Sequence, residues 1–339
     1  MEKVRRWYLN LEGEGNYMLT DATQQREEGE LFSLLLRLHP LEAGCVLPGA
    51  GNQIQAAFLE IVRESDPALA AWLHAPHQRR PYTLSLLQGF NHLTNSQLSE
   101  AMSKQVPLEV MPGQVYWLRI TMLDAAVFGS FVQYLIMKGR ALTVRIGNTH
   151  FEISRVLATP EPQQGAPSWV AYAFFAQLAT DDPALTHYHF EFASPTAFSK
   201  GQQSWGKRLD LFPDPATVFD GLACQWECFA PAHLRIAEHG LTPGDLATWC
   251  KANVIVAKYA LQTRYLPSSK FGQTGFQGEI TYEVKGDRTA REARWLTPLA
   301  RLALFSGIGY KTAMGMGQAR CINVAIAPQS QLIEQEVKA

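Results

Sequence analysis

The residues best placed to bind an anion lie near the C-terminal end of the chain, in residues 305–320. The run is Phe-Ser-Gly-Ile-Gly-Tyr-Lys-Thr-Ala-Met-Gly-Met-Gly-Gln-Ala-Arg. Its candidate binding residues are two Gly-X-Gly pairs with polar and cationic neighbours: Gly307, Gly309, Lys311, Thr312, Gly315, Gly317 and Arg320. Glycine is favoured where a backbone takes positive φ or closely approaches another group. The run therefore predicts a cradle of backbone N–H groups and cations for an anionic polymer.

The alternative is a glycine-rich hairpin that only turns the chain. A nucleotide site is disfavoured, because the spacing is not Gly-x-Gly-x-x-Gly and no Gly-Lys-Ser/Thr triplet completes a P-loop.

A second candidate group lies in the apolar segment at residues 31–39. Ser33, Arg37 and His39 share one parity in the sequence, so they lie on one face if the segment is a strand. A histidine beside an arginine can move a proton near a charged substrate, which makes His39 a candidate acid or base and Arg37 its companion cation. The alternative for His39 is a strand-end histidine bonded to the backbone.

No metal site and no cofactor are expected. His187 and His189 alternate along one segment and so share a sheet face, but they lack a third ligand. The five cysteines are scattered, and Cys224 and Cys228 stand among apolar residues, where buried thiols are the better interpretation.

Composition favours a globular protein large enough for two domains. The chain has 339 residues, of which 47% are hydrophobic and 18% charged. No apolar run reaches the roughly 18 residues of a membrane span and no signal sequence is recognisable, so a cytoplasmic protein is expected. The net charge of −1 argues against bulk attraction to nucleic acid but not against a local cluster. One such cluster, in a predicted hairpin suited to gripping an RNA stem, consists of Lys258, Arg264 and Lys270.

The predicted elements repeat one order in both halves. In the first half they are a strand at 31–39, a helix at 52–64 capped by Asn52, a strand at 115–123, a helix at 124–138 and a hairpin at 142–157. The helix at 52–64 is predicted from the helical spacing of Ile54, Phe58, Ile61 and Val62. In the second half they are strands at 171–178 and 187–192, a helix at 214–229, strands at 254–261 and 277–284, a helix at 289–305 and a strand at 318–326. This order predicts an α+β protein of two tandem ferredoxin-like (RRM-like) domains.

The predicted domain limits follow from the same pattern. They comprise an N-terminal extension at 1–30 with one strand at 7–11, a first domain at 31–158, a Pro/Gln-rich linker at 159–168 and a second domain at 169–330 with the glycine-rich loop.

Four ordered blocks resemble the CRISPR repeat-processing endoribonucleases, the sixth Cas family. They are Gln-Ala-Ala-Phe-Leu from residue 55, Pro-Tyr-Thr-Leu-Ser-Leu from residue 81, Phe-Glu-Phe-Ala-Ser-Pro from residue 190, and the glycine-rich run preceded by Leu-Ala-Leu-Phe-Ser-Gly. The resemblance spans nearly the whole chain, from Leu31 to Asn323.

The resemblance implies metal-independent cleavage of a CRISPR repeat transcript on the 3′ side of a hairpin, by attack of the adjacent 2′-hydroxyl. Its implied partners are the repeat or guide RNA and other effector-complex subunits, with no membrane. In many relatives a histidine precedes the Ala-X-Phe-Leu motif, and Gln55 stands there in this chain. A glutamine amide can orient a hydroxyl or donate to a phosphate, but it carries no proton at neutral pH.

Three functions therefore stay open. The first is an endoribonuclease that remains bound to its product as the 3′-hairpin subunit of an effector complex. The second is a guide-RNA-binding subunit whose catalytic position, Gln55, has decayed. The third is a ferredoxin-like scaffold that contacts only other proteins, which salt-dependent affinity for hairpin RNA would exclude.

Overall fold

The fold is seen in a computed structural model that describes residues 29–76, 79–139, 142–158, 169–179, 181–266 and 272–326. The predicted extension (except residues 29 and 30), its strand at 7–11, the linker and Lys270 lie outside these ranges. None of the helices in the described ranges combines the length and apolarity that crossing a membrane requires.

The first half of the chain forms a mixed layer of sheet and helices. Its strands are β1 (Glu30–Pro40), β2 (Gly44–Val46), β3 (Tyr82–Leu84), β4 (Leu108–Val110), β5 (Tyr116–Met122), β6 (Thr143–Ile146), β7 (Thr149–Leu157) and β8 (Ala171–Phe174). The main sheet has the order β3-β5-β1-β7-β6, with β8 also paired to β1, while β2 and β4 form a separate ribbon. Its helices are α1 (Gly51–Ser65), α2 (Pro67–His74), α3 (Asn95–Lys104) and α4 (Ala125–Lys138).

The second half repeats this arrangement. Its main sheet, of order β12-β13-β9-β14, consists of β9 (His187–Thr196), β12 (Val254–Leu266), β13 (Gln273–Val284) and β14 (Ala319–Cys321). A separate hairpin consists of β10 (Phe198–Gln203) and β11 (Gly206–Asp210). The helices are α5 (Phe175–Leu178), α6 (Pro215–Phe229), α7 (Pro243–Asn253) and α8 (Leu296–Ser306).

Both main sheets have the ferredoxin-like order. In each half the elements run β-α-β-β-α-β, and the first and third of these strands are the central neighbours. The predicted α+β class with two tandem ferredoxin-like folds is confirmed. The apolar spacing that predicted the first helix is also confirmed, because α1 buries Ile54, Phe58, Ile61 and Val62 against the first sheet.

Several predicted elements were wrong in detail. Residues 171–178 form β8, which pairs with β1 of the first sheet, followed by the short helix α5, instead of a strand of the second sheet. The last helix begins at Leu296 after a 3₁₀ turn, and the last strand spans only β14. Asn52 does not cap α1, since the N-cap position is Ala50 and no side chain caps it. The second predicted helix, 124–138, begins one residue later, at Ala125, and Asp124 is its N-cap.

The two halves pack directly on each other. Leu31 and Ala173, which face each other across β1 and β8, are buried in the hydrophobic core of the second half. The first residue of α1, Gly51, lies against the glycine-rich run, since a Cβ at this position would be 1.9 Å from the Met314 carbonyl oxygen. The division into two domains stays a prediction, and β8, at the start of the predicted second domain, pairs with β1 of the first sheet.

Two glycine substitutions test this close packing. Gly129 is exposed in the interior of α4, and an added Cβ there would have no atom within 4 Å. Gly129→Ala should raise the free energy of unfolding by about 0.5–1 kcal/mol, because alanine is the better helix former. Gly51→Ala should lower it by roughly 1–3 kcal/mol, because α1 and the glycine-rich run must move apart. Urea unfolding measures both changes. An equal rise in the free energy of unfolding for the two variants would contradict the contact between α1 and the glycine-rich run.

Candidate nucleic-acid interface

The glycine-rich run is an internal joint between the two halves along most of its length. All four of its glycines have positive φ: Gly307, Gly309, Gly315 and Gly317. A Cβ on Gly317 would lie 2.2 Å from the Ile308 carbonyl oxygen, and one on Gly315 would lie 2.4 Å from a methyl group of Leu86 in the first half. Both the backbone conformation and the lack of space therefore require glycine at these two positions.

Most backbone groups of the run are bonded inside the protein. Ile308 N–H donates to the Gly317 carbonyl at 2.8 Å, and Gly317 N–H donates to the Pro195 carbonyl at 3.0 Å. Gly307, Gly315 and Gly317 are buried. The expectation of an open backbone cradle is thus corrected for these three glycines, which shape the surface without facing a ligand.

The middle of the run, residues 309–312, reaches solvent, and there it carries part of the expected charge. Gly309 is exposed, while Tyr310, Lys311 and Thr312 are half-buried. The Lys311 ammonium lies 5.5 Å from the centroid of the Tyr310 ring, and the Lys207 ammonium of β11 lies 4.0 Å from the same centroid. We call Lys207 and residues 309–312 the tip surface. Neither lysine forms an ion pair with any residue that the structure describes.

One buried arginine bonds the two halves together. Arg119 of β5 is 3% exposed, and its Nε donates to the Ser33 hydroxyl at 2.9 Å and the Trp169 carbonyl at 3.0 Å. Its terminal nitrogens donate to Gln318 Oε1 and to the Leu304 carbonyl of the second half. Burial, and then the charge of Arg320, lower the pKa of Arg119 to about 9, so it stays charged at neutral pH.

Arg320 forms part of the same junction. Its Nε donates to Glu191 Oε2 at 2.8 Å, and its guanidinium carbon lies 4.6 Å from the Trp169 ring centroid. The Arg119 guanidinium carbon lies 5.2 Å from that ring. Arg320, expected to bind RNA directly, is therefore paired to a carboxylate and stacked on an indole, which leaves its charge partly neutralised.

The remaining predicted cations lie apart from the tip surface. Arg264 lines a cleft of about 670 Å³ between the halves, where its Nη1 donates to the Ser99 hydroxyl at 3.3 Å. The cleft is bordered by Tyr265 and Gln277 of the second sheet. Lys258 is exposed on β12, the edge strand of that sheet.

The open face of the second sheet is poorly suited to stacking bases. Glu191 of β9 faces Glu279 of β13, and Thr281 faces His189 in the next pair. The Glu191 carboxylate is paired with Arg320, and no Phe, Tyr or Trp belongs to these two pairs of β9 and β13. The tip surface and the cleft are therefore better candidates for binding RNA than the face of this sheet.

Of the three candidate catalytic residues, Gln55 lies apart from Arg37 and His39. Gln55 is 7% exposed and its Nε2 donates to the Tyr82 hydroxyl at 3.0 Å, in the core between α1 and the first sheet. Arg37 and His39 have the opposite parity to the core residues Leu36 and Leu38 of β1, so they lie on the other face of that sheet.

His39 is also far from the junction. It lies six positions after Ser33 in β1, a distance of about 20 Å at the usual rise of a strand. It is half-buried and lies opposite Glu152 of β7. Burial, followed by the charge of Arg37, lowers the pKa of His39, while Glu152 acts in the opposite direction. The neutral imidazole, which can accept a proton, is thus favoured.

Three structurally important residues were missed by the sequence reasoning: Arg119, Trp169 and Gln318. The signal for Arg119 was available, because it is the one charged residue in the segment Tyr-Trp-Leu-Arg-Ile-Thr-Met, whose residues are all buried. The roles of Trp169 and Gln318 depend on contacts with residues that are distant from them in the sequence.

Comparisons with known proteins agree over most of the chain. Residues 31–180 match the profile described as the CRISPR Cas6 N-terminal domain, and residues 190–319 match CRISPR-associated endoribonuclease Cas6. A Cas6 endoribonuclease of Streptococcus thermophilus is 26% identical over 141 residues, which cover 42% of this chain and 53% of that protein. One of Mycobacterium tuberculosis is 30% identical over 150 residues, which cover 43% of this chain and 42% of that protein.

These alignments therefore span about half of the curated relatives' length. A solved structure described as a Cas6 product complex matches with a TM-score of 0.68 at 24% identity, covering 87% of this chain and 100% of that chain. This likeness supports the fold.

Loss of the buried arginine should destabilise the junction between the two halves. Arg119→Ala leaves the Ser33, Gln318 and Leu304 oxygens without their donor, and should lower the free energy of unfolding by roughly 3 kcal/mol or more. Arg119→Lys should be intermediate, since one ammonium cannot reach acceptors on all sides. The control is Arg63→Ala, whose side chain is 63% exposed. A loss no larger than the control's, in urea unfolding, would contradict the role of Arg119.

Proposed function

The chain belongs to the Cas6 family, and we propose that it binds the hairpin of a CRISPR repeat transcript and cuts the transcript beside it. The cut RNA stays bound, and the protein serves as the 3′-hairpin subunit of an effector complex. The observation that carries the binding step is the tip surface, where Lys207 and Lys311 flank the Tyr310 ring without a carboxylate partner in the described ranges. Such unpaired cations suit an RNA backbone, which is recognised by phosphate and shape.

The cutting step is proposed to need no metal. Attack of a 2′-hydroxyl on the neighbouring phosphate requires a base for the hydroxyl proton, an acid for the leaving 5′-oxygen and a cation for the phosphate oxygens. His39 is the proposed base, because its lowered pKa favours the neutral ring, and solvent water is the proposed acid that protonates the leaving 5′-oxygen. Arg37 is the proposed cation, since it is a near neighbour on the same sheet face.

A second candidate function is favoured by the position of Gln55. Its amide is buried and bonded to Tyr82, so it can neither move a proton nor reach a bound phosphate without rearrangement. This arrangement suits a guide-RNA-binding subunit that does not cut. A scaffold that contacts only proteins is the third candidate, and the charge of the tip surface favours RNA over it.

Cleavage in EDTA separates the first two functions. The protein should cut its own repeat RNA at one position, and a 2′-deoxy substitution at that nucleotide should abolish the cut. His39→Ala should slow cutting about 10²- to 10⁴-fold, the usual range for a proton-transfer residue. Gln55→Ala should retain the rate within about tenfold, since a neutral amide moves no proton. His74→Ala, an exposed histidine on α2, is the control.

Two results would contradict parts of this assignment. Full activity of His39→Ala would remove His39 as the base. Tight binding of an RNA that stays intact would identify the binding subunit instead.

The pH dependence of cutting tests the same residue. The pKa of His39 is lowered from 6.5, so its ring is neutral above that pH and becomes protonated only below it. The rate in single-turnover assays should be flat above pH 6.5 and should fall as the pH drops further. A rate that rises on acidification would instead mean that the protonated ring is the active form.

The salt dependence of binding tests the tip surface. Lys207→Ala and Lys311→Ala should each reduce the slope of log affinity against log salt concentration by up to about 1, because each removes one phosphate contact. Lys251→Ala, on the exposed end of α7, removes the same charge elsewhere and should leave the slope unchanged. Equal slopes for all four proteins, measured by fluorescence anisotropy, would rule out contact at the tip surface.

A further inference from the structure

The β10–β11 hairpin projects an aromatic side chain into solvent. The two strands pair only with each other, and residues 204 and 205 connect them. Trp205 at this turn is 71% exposed, the highest value among the exposed large hydrophobic side chains of the described ranges. A two-stranded hairpin is marginal on its own, and an exposed indole adds nothing to its stability. Such a side chain is accessible to a binding partner.

The base of the hairpin is fixed beside the tip surface. Phe198, the first residue of β10, is buried in the second core, and Leu209 of β11 packs against the small cluster that includes Met316 of the glycine-rich run. Lys207 then reaches the Tyr310 ring at 4.0 Å. The hairpin thus adjoins the exposed residues 309–312 of the glycine-rich run through Lys207 and Tyr310.

The charge of the hairpin indicates the chemistry of the partner. Lys200, Lys207 and Arg208 are its cations, and Asp210 is its one carboxylate. Lys200 and Arg208 both lie 3.8 Å from that carboxylate, whereas Lys207 faces the tyrosine ring. The turn between these cations carries one large ring instead of a contiguous apolar patch. A single ring flanked by cations matches a nucleotide, which offers one π-face beside a phosphate.

We propose that Trp205 stacks on an unpaired base next to the stem of the RNA held at the tip surface. This proposal rests on the proposed function, because it requires RNA to be bound there. Bases inside a duplex are already stacked, so an aromatic side chain gains most from a base in a single-stranded flank. Trp205 therefore selects RNA with an unpaired nucleotide beside the hairpin, and does so with little regard to which base it is.

Binding of two RNAs tests the assignment. One is the repeat hairpin with its single-stranded flanks, and the other is the same stem with blunt ends. Trp205→Ala should weaken binding of the flanked RNA roughly 5- to 150-fold, the range expected for one lost base stack. Binding of the blunt stem should not change. Trp205→Phe should stay within about threefold of the unmodified protein, because phenylalanine keeps a π-face.

Two controls make the outcome specific. Trp72→Ala removes a 44% exposed tryptophan from α2 and should leave both affinities unchanged. The salt slope should be the same for Trp205→Ala and the unmodified protein, since no phosphate contact is lost. Unfolding curves confirm that the variants fold.

Each remaining outcome has one interpretation. If the unmodified protein binds the flanked RNA and Trp205→Ala binds it equally well, the stacking proposal is wrong, and a protein partner for Trp205 becomes the better explanation. If the unmodified protein binds neither RNA, the proposed function fails and the stacking proposal fails with it. A loss of affinity that is equal for flanked and blunt RNA would also overturn it.

Discussion

The structure depends on a buried arginine that has no carboxylate partner among the described residues. Arg119 is kept in the interior by oxygens from both halves of the chain, including the Ser33 hydroxyl and the Gln318 amide. A buried charge without these bonds would be costly, so the two halves cannot part without exposing or stranding it. The requirement to satisfy one guanidinium thus fixes how the two ferredoxin-like folds meet.

The rigid junction determines which parts of the glycine-rich run reach solvent. Gly315 fits against Leu86 of the first half, and Gly317 fits against the Ile308 carbonyl of the second. With these positions fixed, the run reaches solvent at residues 309–312. The tip surface and the β10–β11 hairpin are therefore presented together, although about a hundred residues separate them in the sequence.

Local sequence patterns predicted the fold well and the site less well. The parity of β1 and the spacing of α1 gave the correct faces, because each pattern is set by the period of a single element. The glycine-rich run was identified, but the burial of its N–H groups depends on Pro195 and on the other half of the chain, which no local pattern contains. The burial of Gln55 was not predicted either, because it depends on a hydrogen bond to Tyr82, which is distant in the sequence.

Hydrogen exchange of the protein with and without flanked repeat RNA tests the central claim most directly. The claim is that RNA binds across the β10–β11 hairpin and the tip surface, which Arg119 and the glycine-rich run hold in place. Exchange should slow at residues 203–207 and 309–312 on binding, and α7 should be unaffected. Protection of the open face of β9 and β13, with the tip surface unchanged, would contradict the account.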